Sequence, residues 1–228
     1  MIEDWNDSEY CLMAVRKNPL NLEFVKNQTS EMCLEAVKRD GYALRFVENR
    51  TPEICLVAVK QNPINLEFVK NQTPKICLEA VKRDGYALKF VKEQTHEICL
   101  EAIKQYGHAL RFVNNQTPEM CLEAVKQNGY ALAFVINQTS EMCLEAVKQN
   151  GFALEDVKEQ TIDICLQAVK QKGRAFRFVK NQTPLIIHYL KKYNISLYEL
   201  YKKENRITIS QKEMEKFYNE NPHLLLTL

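Results

Sequence analysis

The chain of 228 residues is poor in the residues and motifs that usually mark a chemical site. It has six glycines, four histidines and one tryptophan, and it contains no glycine-rich phosphate loop, nucleophile elbow or Cys-x-x-Cys pair. Lys and Arg (31) nearly balance Asp and Glu (29), so no strong net field favours nucleic acid or an acidic surface. We therefore predict a protein that is not an enzyme and that binds no cofactor or metal.

The sequence also lacks the apolar segments that direct a chain to or across a membrane. No N-terminal stretch is typical of a signal peptide, and no apolar run is long enough to span a bilayer. We therefore expect no membrane association and a cytoplasmic location. In that reducing compartment the eight cysteines would remain thiols.

Those cysteines show that the chain is built from repeats, because they recur every 22 residues from Cys11 to Cys165. If Thr is repeat position 1, residues 7–182 divide into eight repeats without insertion or deletion. The consensus reads T-P-E-I-C-L-E-A-V-K-Q-N-G-Y-A-L-K-F-V-K-N-Q. All six glycines occupy position 13, and Pro19 and Pro63 fill that position in the other two repeats.

Each repeat predicts two helices joined by a turn. Thr is a good N-cap, and apolar residues at positions 4, 5, 6, 8 and 9 predict a first helix of about ten residues. We expect Gly at position 13 to end it as a C′ residue. Apolar residues at positions 15, 16, 18 and 19 predict a second, shorter helix that is α or partly 3-10. Helices this short do not fold alone, so the sequence predicts an all-α solenoid of eight stacked repeats.

The two ends depart from the repeat and are predicted to be caps. Residues 1–6 form an N-terminal cap in which Trp5 covers the first repeat. Residues 183–228 form a degenerate ninth repeat and a helical C-terminal cap, with helices expected over residues 184–193 and 196–204. Ser210 and Glu213 have the spacing of a capping box that opens a final helix, which we expect to end near Pro222.

The repeated cysteines and the Asn-Gln-Thr turns have a structural interpretation. Position 5 lies within the apolar arc of the first helix, so we predict a column of buried free thiols rather than disulfides or metal ligands. The turns predict a ladder of side-chain hydrogen bonds between neighbouring repeats.

A basic column at position 10 offers one candidate binding surface. Such a column is able to follow a phosphate backbone, but in most repeats a Glu lies three residues earlier on the same face, and charges balance over residues 1–182 at 24 against 24. Nucleic-acid binding is therefore the alternative and not the first hypothesis. The candidate residues of this basic column are Lys38, Lys60, Lys82, Lys104, Lys126 and Lys148.

Departures from the consensus point to a second candidate surface in the last three repeats. Repeat 6 has Ala133 and Ile136 where other repeats mostly carry charge, and with Tyr130 they predict an exposed apolar patch. Repeat 7 has Asp156 where the others have Phe, which we expect to remove packing and open a local groove. Repeat 8 has Arg174 where an aromatic residue is common.

The segments Cys-Leu-Glu-Ala-Val-Lys and Tyr-Ala-Leu-x-Phe-Val resemble an uncharacterised helical repeat family, a domain of unknown function common in giant DNA viruses of amoebae. Two consecutive repeats correspond to one such domain. The resemblance covers residues 7–182 and implies a viral source and action in host cytoplasm, but no activity or site. We therefore predict a repeat scaffold that binds a protein partner. A third candidate is self-assembly through the ends or through the apolar tail at residues 224–228.

Overall fold

The structure, a computed structural model, describes residues 4–225. Residues 1–3 of the predicted N-terminal cap and residues 226–228 of the apolar tail lie outside the described residues. The chain divides into two compact units, Met1–Asn115 and Gln116–Leu228. Within the described residues both units are built from helices without a β-strand, which confirms the predicted all-α solenoid repeat.

The first unit holds five repeats, each an α-helix of ten residues followed by a 3-10 helix of six. The α-helices are α1 (Ser8–Lys17), α2 (Ser30–Arg39), α3 (Pro52–Gln61), α4 (Pro74–Arg83) and α5 (His96–Gln105). The 3-10 helices are η1 (Pro19–Phe24), η2 (Gly41–Phe46), η3 (Pro63–Phe68), η4 (Gly85–Phe90) and η5 (Gly107–Phe112).

The second unit holds three further repeats and the C-terminal helices. The repeats are formed by α6 (Pro118–Gln127), η6 (Gly129–Phe134), α7 (Ser140–Gln149), η7 (Gly151–Asp156), α8 (Ile162–Gln171) and η8 (Gly173–Phe178). They are followed by α9 (Pro184–Tyr193), α10 (Ile195–Lys203), α11 (Gln211–Glu220) and α12 (Pro222–Leu225).

Side-chain caps fix where the helices of a repeat begin. In repeat 2 the Thr29 hydroxyl accepts a hydrogen bond from the backbone N–H of Met32 at 3.3 Å, as expected of an N-cap. The α-helix ends at Arg39, and Asp40 at position 12 is extended. Its carboxylate accepts from the N–H of Tyr42 at 2.9 Å and so caps the 3-10 helix. The second helix of each of the eight repeats is a 3-10 helix over its whole length.

Gly at position 13 lies at C′, one residue after the C-cap, but it does not take the left-handed conformation that is common there. No described glycine has a positive φ, and glycine instead opens the 3-10 helix. A Cβ atom at Gly151 would lie 2.5 Å from the carbonyl oxygen of Ala168 in the next repeat, and one at Gly129 would lie 2.6 Å from that of Ala146. Glycine is needed here because the neighbouring α-helix comes so close.

The core of each unit lies between the α-helices and 3-10 helices of adjacent repeats. In repeats 2 to 8, positions 4, 5, 8 and 9 of the α-helix are buried, as are positions 15, 16 and 19. Within each unit, every repeat packs on its sequence neighbours, so burial depends on stacking, as in other repeat proteins. In repeat 4 the buried set is Ile76, Cys77, Ala80, Val81, Ala87, Leu88 and Val91.

The eight cysteines form the predicted buried column, and all are free thiols. In six repeats the Cys Sγ faces the side-chain oxygen of the Gln at position 22 of the preceding repeat; for Cys99 and Gln94 the distance is 3.6 Å. Burial raises the pKa of each of these thiols, and it raises that of Cys165 to about 11. The thiolate, which is the reactive form, is therefore disfavoured in the column at neutral pH.

The same glutamines form the predicted hydrogen-bond ladder between repeats. The Gln94 amide donates to the carbonyl of Phe112 at 2.7 Å and accepts from the N–H of Asn114 at 3.0 Å. Gln fills position 22 in seven of the eight repeats. Arg50 replaces it in repeat 2, and its side chain bonds the carbonyls of Leu44 and Arg45 in its own repeat.

The segments before the first repeat and after the eighth make contacts of their own. Trp5 packs against Tyr10 and Phe24, with ring centroids 5.3 and 5.2 Å apart. At the other end Ser210 and Glu213 form the capping box of α11. That helix packs on α9, where buried His188 lies 3.2 Å from the hydroxyl of Tyr218.

Candidate interaction surface

The outward sides of the 3-10 helices carry an aromatic column, formed by the residues at positions 14 and 18. In repeats 2, 4 and 7 the ring at position 14 meets the ring at position 18 of the next repeat edge to face; repeats 1, 3 and 8 have Leu20, Ile64 and Arg174 at position 14. The centroids of Tyr42 and Phe68 are 5.3 Å apart, and those of Tyr86 and Phe112 are 5.2 Å apart. Such pairs contribute about 0.5–1.5 kcal/mol beyond their buried area, so this column fastens repeats together at the surface.

In repeats 2 and 4 a cation at position 17 covers the ring at position 14 of the same repeat. In a 3-10 helix residues three apart eclipse one another, which places position 17 beside position 14. The guanidinium of Arg45 lies 5.0 Å from the ring centroid of Tyr42, and the ammonium of Lys89 lies 5.7 Å from that of Tyr86. These are cation–π contacts on an exposed face.

The aromatic column is interrupted between repeats 6 and 7, in η6 and η7. Tyr130 occupies position 14 and is 44% exposed. The residue at position 18 of repeat 7 is Asp156 instead of Phe. Position 17 holds Ala133 and Glu155, whereas it holds Arg or Lys in repeats 2, 4, 5 and 8 and Glu in repeats 1 and 3. Because η6 and η7 pack side by side, the structure brings three of the candidate residues onto one exposed face.

Asp156 takes the place of a surface ring and not of a core residue. Position 18 is half-buried in the repeats around it, and so is Asp156. Its backbone carbonyl still accepts from the amide of Gln138 at 2.8 Å, so the substitution leaves the backbone ladder intact. Burial, and secondly the charge of neighbouring Glu155, raise the pKa of the Asp156 carboxyl above its ordinary value.

The other two departures, Ile136 and Arg174, lie in different surroundings. Ile136 follows η6 and is 60% exposed; its carbonyl accepts from the ammonium of Lys158 in the next repeat at 2.6 Å. Arg174 is exposed at position 14 of η8. Repeat 8 therefore presents a cation where other repeats present a ring.

The basic column lies on the α-helices, and all six of its lysines are exposed. Lys104 pairs with Glu101 at 3.2 Å, as expected of residues three apart on a helix. In repeat 2 the acid at position 7, Glu35, pairs instead with Arg39 at 3.1 Å. These exposed pairs contribute little stability, and their acids interrupt any continuous positive surface.

Small clefts recur where the turn of one repeat meets the α-helix of the next. One cleft of about 360 Å³ is lined by Lys70, Gln72, Thr73, Cys77 and Lys92. Its walls are the glutamine ladder and the N-terminus of α4, so it is a product of the repeat. Over residues 4–225 no group of three His, Cys, Asp or Glu side chains is placed to hold a metal ion. None of the helices described has the length and apolarity that crossing a bilayer demands.

Comparison with known protein families identifies the family to which the repeat belongs. The sequence model of the family described as Domain of unknown function (DUF4116) matches five overlapping segments, residues 29–72, 73–117, 96–140, 117–160 and 139–183. The chain belongs to this family. Each match spans about two repeats, as the resemblance predicted, and most begin at a position-1 Thr. Searches of the curated proteins and of the solved structures each found no match.

In this DUF4116 protein the sequence interpretation missed two sets of residues. One set is the residues at position 17, the cations and Glu155. The sign of the charge at this position changes from repeat to repeat, which was a signal in the sequence. The glutamines at position 22 were assigned only to a turn. Their recurrence was a signal, but their partners lie 18 to 20 residues downstream.

Proposed function

We propose that the chain is a non-enzymatic scaffold that binds a protein partner on the exposed face of η6 and η7. The observation that carries the proposal is the interruption of the aromatic column at Tyr130 and Asp156. Where Tyr42, Tyr86 or Phe152 occupies position 14, the ring meets a ring of the next repeat and is covered by a cation. Here an exposed tyrosine, an alanine and two carboxylates face outward, and aromatic residues are enriched where proteins bind one another.

A protein fits this face better than a nucleic acid does. Glu155 and Asp156 would repel phosphates, which dominate the affinity of proteins for nucleic acid. The basic column, the alternative candidate, carries Glu residues within one helical turn of its lysines. Lys126 and Ala133 belong to the same repeat, which allows the two hypotheses to be tested side by side.

Photo-crosslinking from these two positions separates the candidate functions. A p-benzoylphenylalanine residue would replace Ala133 in one variant and Lys126 in the other, in extract of cells that naturally express the protein. We expect Ala133 to crosslink a protein and Lys126 to give little product. Nucleic acid captured at Lys126 would favour the alternative, and capture of a second copy of the chain would favour self-assembly. No protein captured at Ala133 would refute the proposal.

The resemblance to repeats common in giant viruses supports a finer proposal on location. We infer that the protein acts in the cytoplasm of an infected host cell, where its thiols stay reduced. Fractionation of infected cells, followed by detection of the chain, tests this. Recovery of the chain with the membrane or nuclear fraction would contradict it.

A further inference from the structure

The molecule itself shows what an aromatic residue at position 14 binds. In repeats 2 and 4 a cation one 3-10 turn later covers the ring. In repeat 7 two cations from repeat 8 cover Phe152: the ammonium of Lys172 lies 4.5 Å from the ring centroid, and the guanidinium of Arg177 lies 5.1 Å from it. A cation over this ring is therefore a recurring contact of the fold.

Tyr130 has no such cation within residues 4–225. The position corresponding to Arg177 is Glu155, and the position corresponding to Lys172 is Asn150. Its own repeat provides Ala133 at position 17, which is uncharged and too short to cover the ring. The partner ring at position 18 is absent as well, because Asp156 occupies that position.

Two carboxylates accompany the uncovered ring. Glu155 is exposed and Asp156 is half-buried, and the described residues contain no cation within ion-pair distance of either. Arg177 is engaged elsewhere, since its guanidinium lies 4.5 Å from the centroid of Phe178 as well as over Phe152. The junction thus combines an open aromatic face with unpaired negative charge.

We propose that Tyr130, Glu155 and Asp156 together receive an arginine side chain of the protein partner; this rests on the proposed function above. A guanidinium stacks on an aromatic face and at the same time donates two parallel hydrogen bonds to a carboxylate. An ammonium does not make both contacts with one planar group. The partner would supply the cation that Arg45 or Lys89 supplies within the chain in other repeats.

Titration with short peptides, followed by NMR of the full chain, tests the proposal. The probe is Gly-Ser-Arg-Ser-Gly, and the comparison peptides carry citrulline or lysine in place of arginine. We expect the arginine peptide to shift the Tyr130 ring and the amides of η6 and η7, and to bind about tenfold more tightly than the citrulline peptide. Lysine should bind several-fold more weakly than arginine. Equal binding of the arginine peptide and either comparison peptide would overturn the proposal.

Protein variants separate this site from general attraction between charges. Asp156→Phe restores the consensus ring and removes a carboxylate, so it should stay folded and lose about tenfold in affinity for the arginine peptide. Tyr130→Ala should lose a similar factor. Glu67→Gln removes an exposed carboxylate at position 17 of repeat 3 and should leave binding unchanged. Unchanged binding to either of the first two variants, or an equal loss in Glu67→Gln, would refute the site.

Failure of this inference is distinguishable from failure of the proposed function. If crosslinking at Ala133 captures a protein while the peptides do not discriminate, the scaffold function stands and the arginine site is wrong. If crosslinking at Ala133 captures no protein, the scaffold function fails whichever peptide binds.

Discussion

Replacing Gln94 by methionine should loosen repeats 4 and 5 from each other. Methionine has nearly the same length and volume, so packing changes little, but it can neither donate to Phe112 nor accept from Asn114. Each of these bonds contributes about 0.5–1.5 kcal/mol net. We therefore expect Gln94→Met to lower the free energy of unfolding by about 1–3 kcal/mol, because both of these backbone groups lose their side-chain partner.

Urea denaturation measures the total loss, and hydrogen exchange locates it. The amide of Asn114 should lose protection in Gln94→Met, because its acceptor is gone. The matched control is Arg50→Met at the same repeat position. The Arg50 side chain bonds only carbonyls of its own repeat, so we expect a loss of less than about 1 kcal/mol. If Gln94→Met is as stable as the original chain, the glutamine ladder does not hold the repeats together.

Three further predictions follow from the packing. Gly129→Ala places a Cβ atom 2.6 Å from a backbone oxygen, whereas the Cβ atom of Gly173→Ala meets only side-chain atoms. Gly129→Ala should therefore lower the melting temperature more than Gly173→Ala does. Equal effects would contradict the argument that glycine is needed for the close approach of the backbone. Cys165, with a pKa of about 11, should resist iodoacetamide at neutral pH until urea unfolds the chain, and rapid native alkylation would show that it is accessible. Burial lowers the pKa of His188 below its ordinary 6.5, so the unfolded chain takes up the proton first. Stability should therefore fall as the pH drops through about 6.5, and His188→Leu should melt without that dependence; the same slope in the variant would assign it elsewhere.

The repeat register and both helices of each repeat could be predicted because they depend on local chemistry. Thr29 caps a helix start whatever surrounds it, and apolar periodicity identifies the buried face. The burial of the cysteines followed from the same pattern. These features need only the sequence within one 22-residue repeat.

Features that depend on the distance between repeats could not be predicted in this way. The requirement for Gly151 arises from the carbonyl of Ala168, which is close only after stacking. The partners of Gln94 lie in the next repeat, so the turn sequence alone could not identify the carbonyl that accepts from its amide. The division after Asn115 has no counterpart in the sequence, where the repeat continues without insertion.

Only part of the candidate surface could be predicted from the sequence, because its residues come together only when the repeats stack. Tyr130, Ala133 and Asp156 stand out from the consensus, but only the packing of η6 on η7 places them on one face. Asp156 was expected to disturb the core, whereas position 18 is a half-buried surface position. The role of Glu155 could not be predicted from its own repeat, because it depends on the contact that Arg177, at the same position of the next repeat, makes with Phe152.

Hydrogen exchange of the chain with and without its captured partner tests the central claim most directly. The account predicts that partner binding protects the amides of η6 and η7 around Tyr130 and Asp156 and leaves the α-helical face around Lys126 unchanged. Protection on the α-helical face, with η6 and η7 unchanged, would contradict the claim that the interrupted aromatic column is the binding surface.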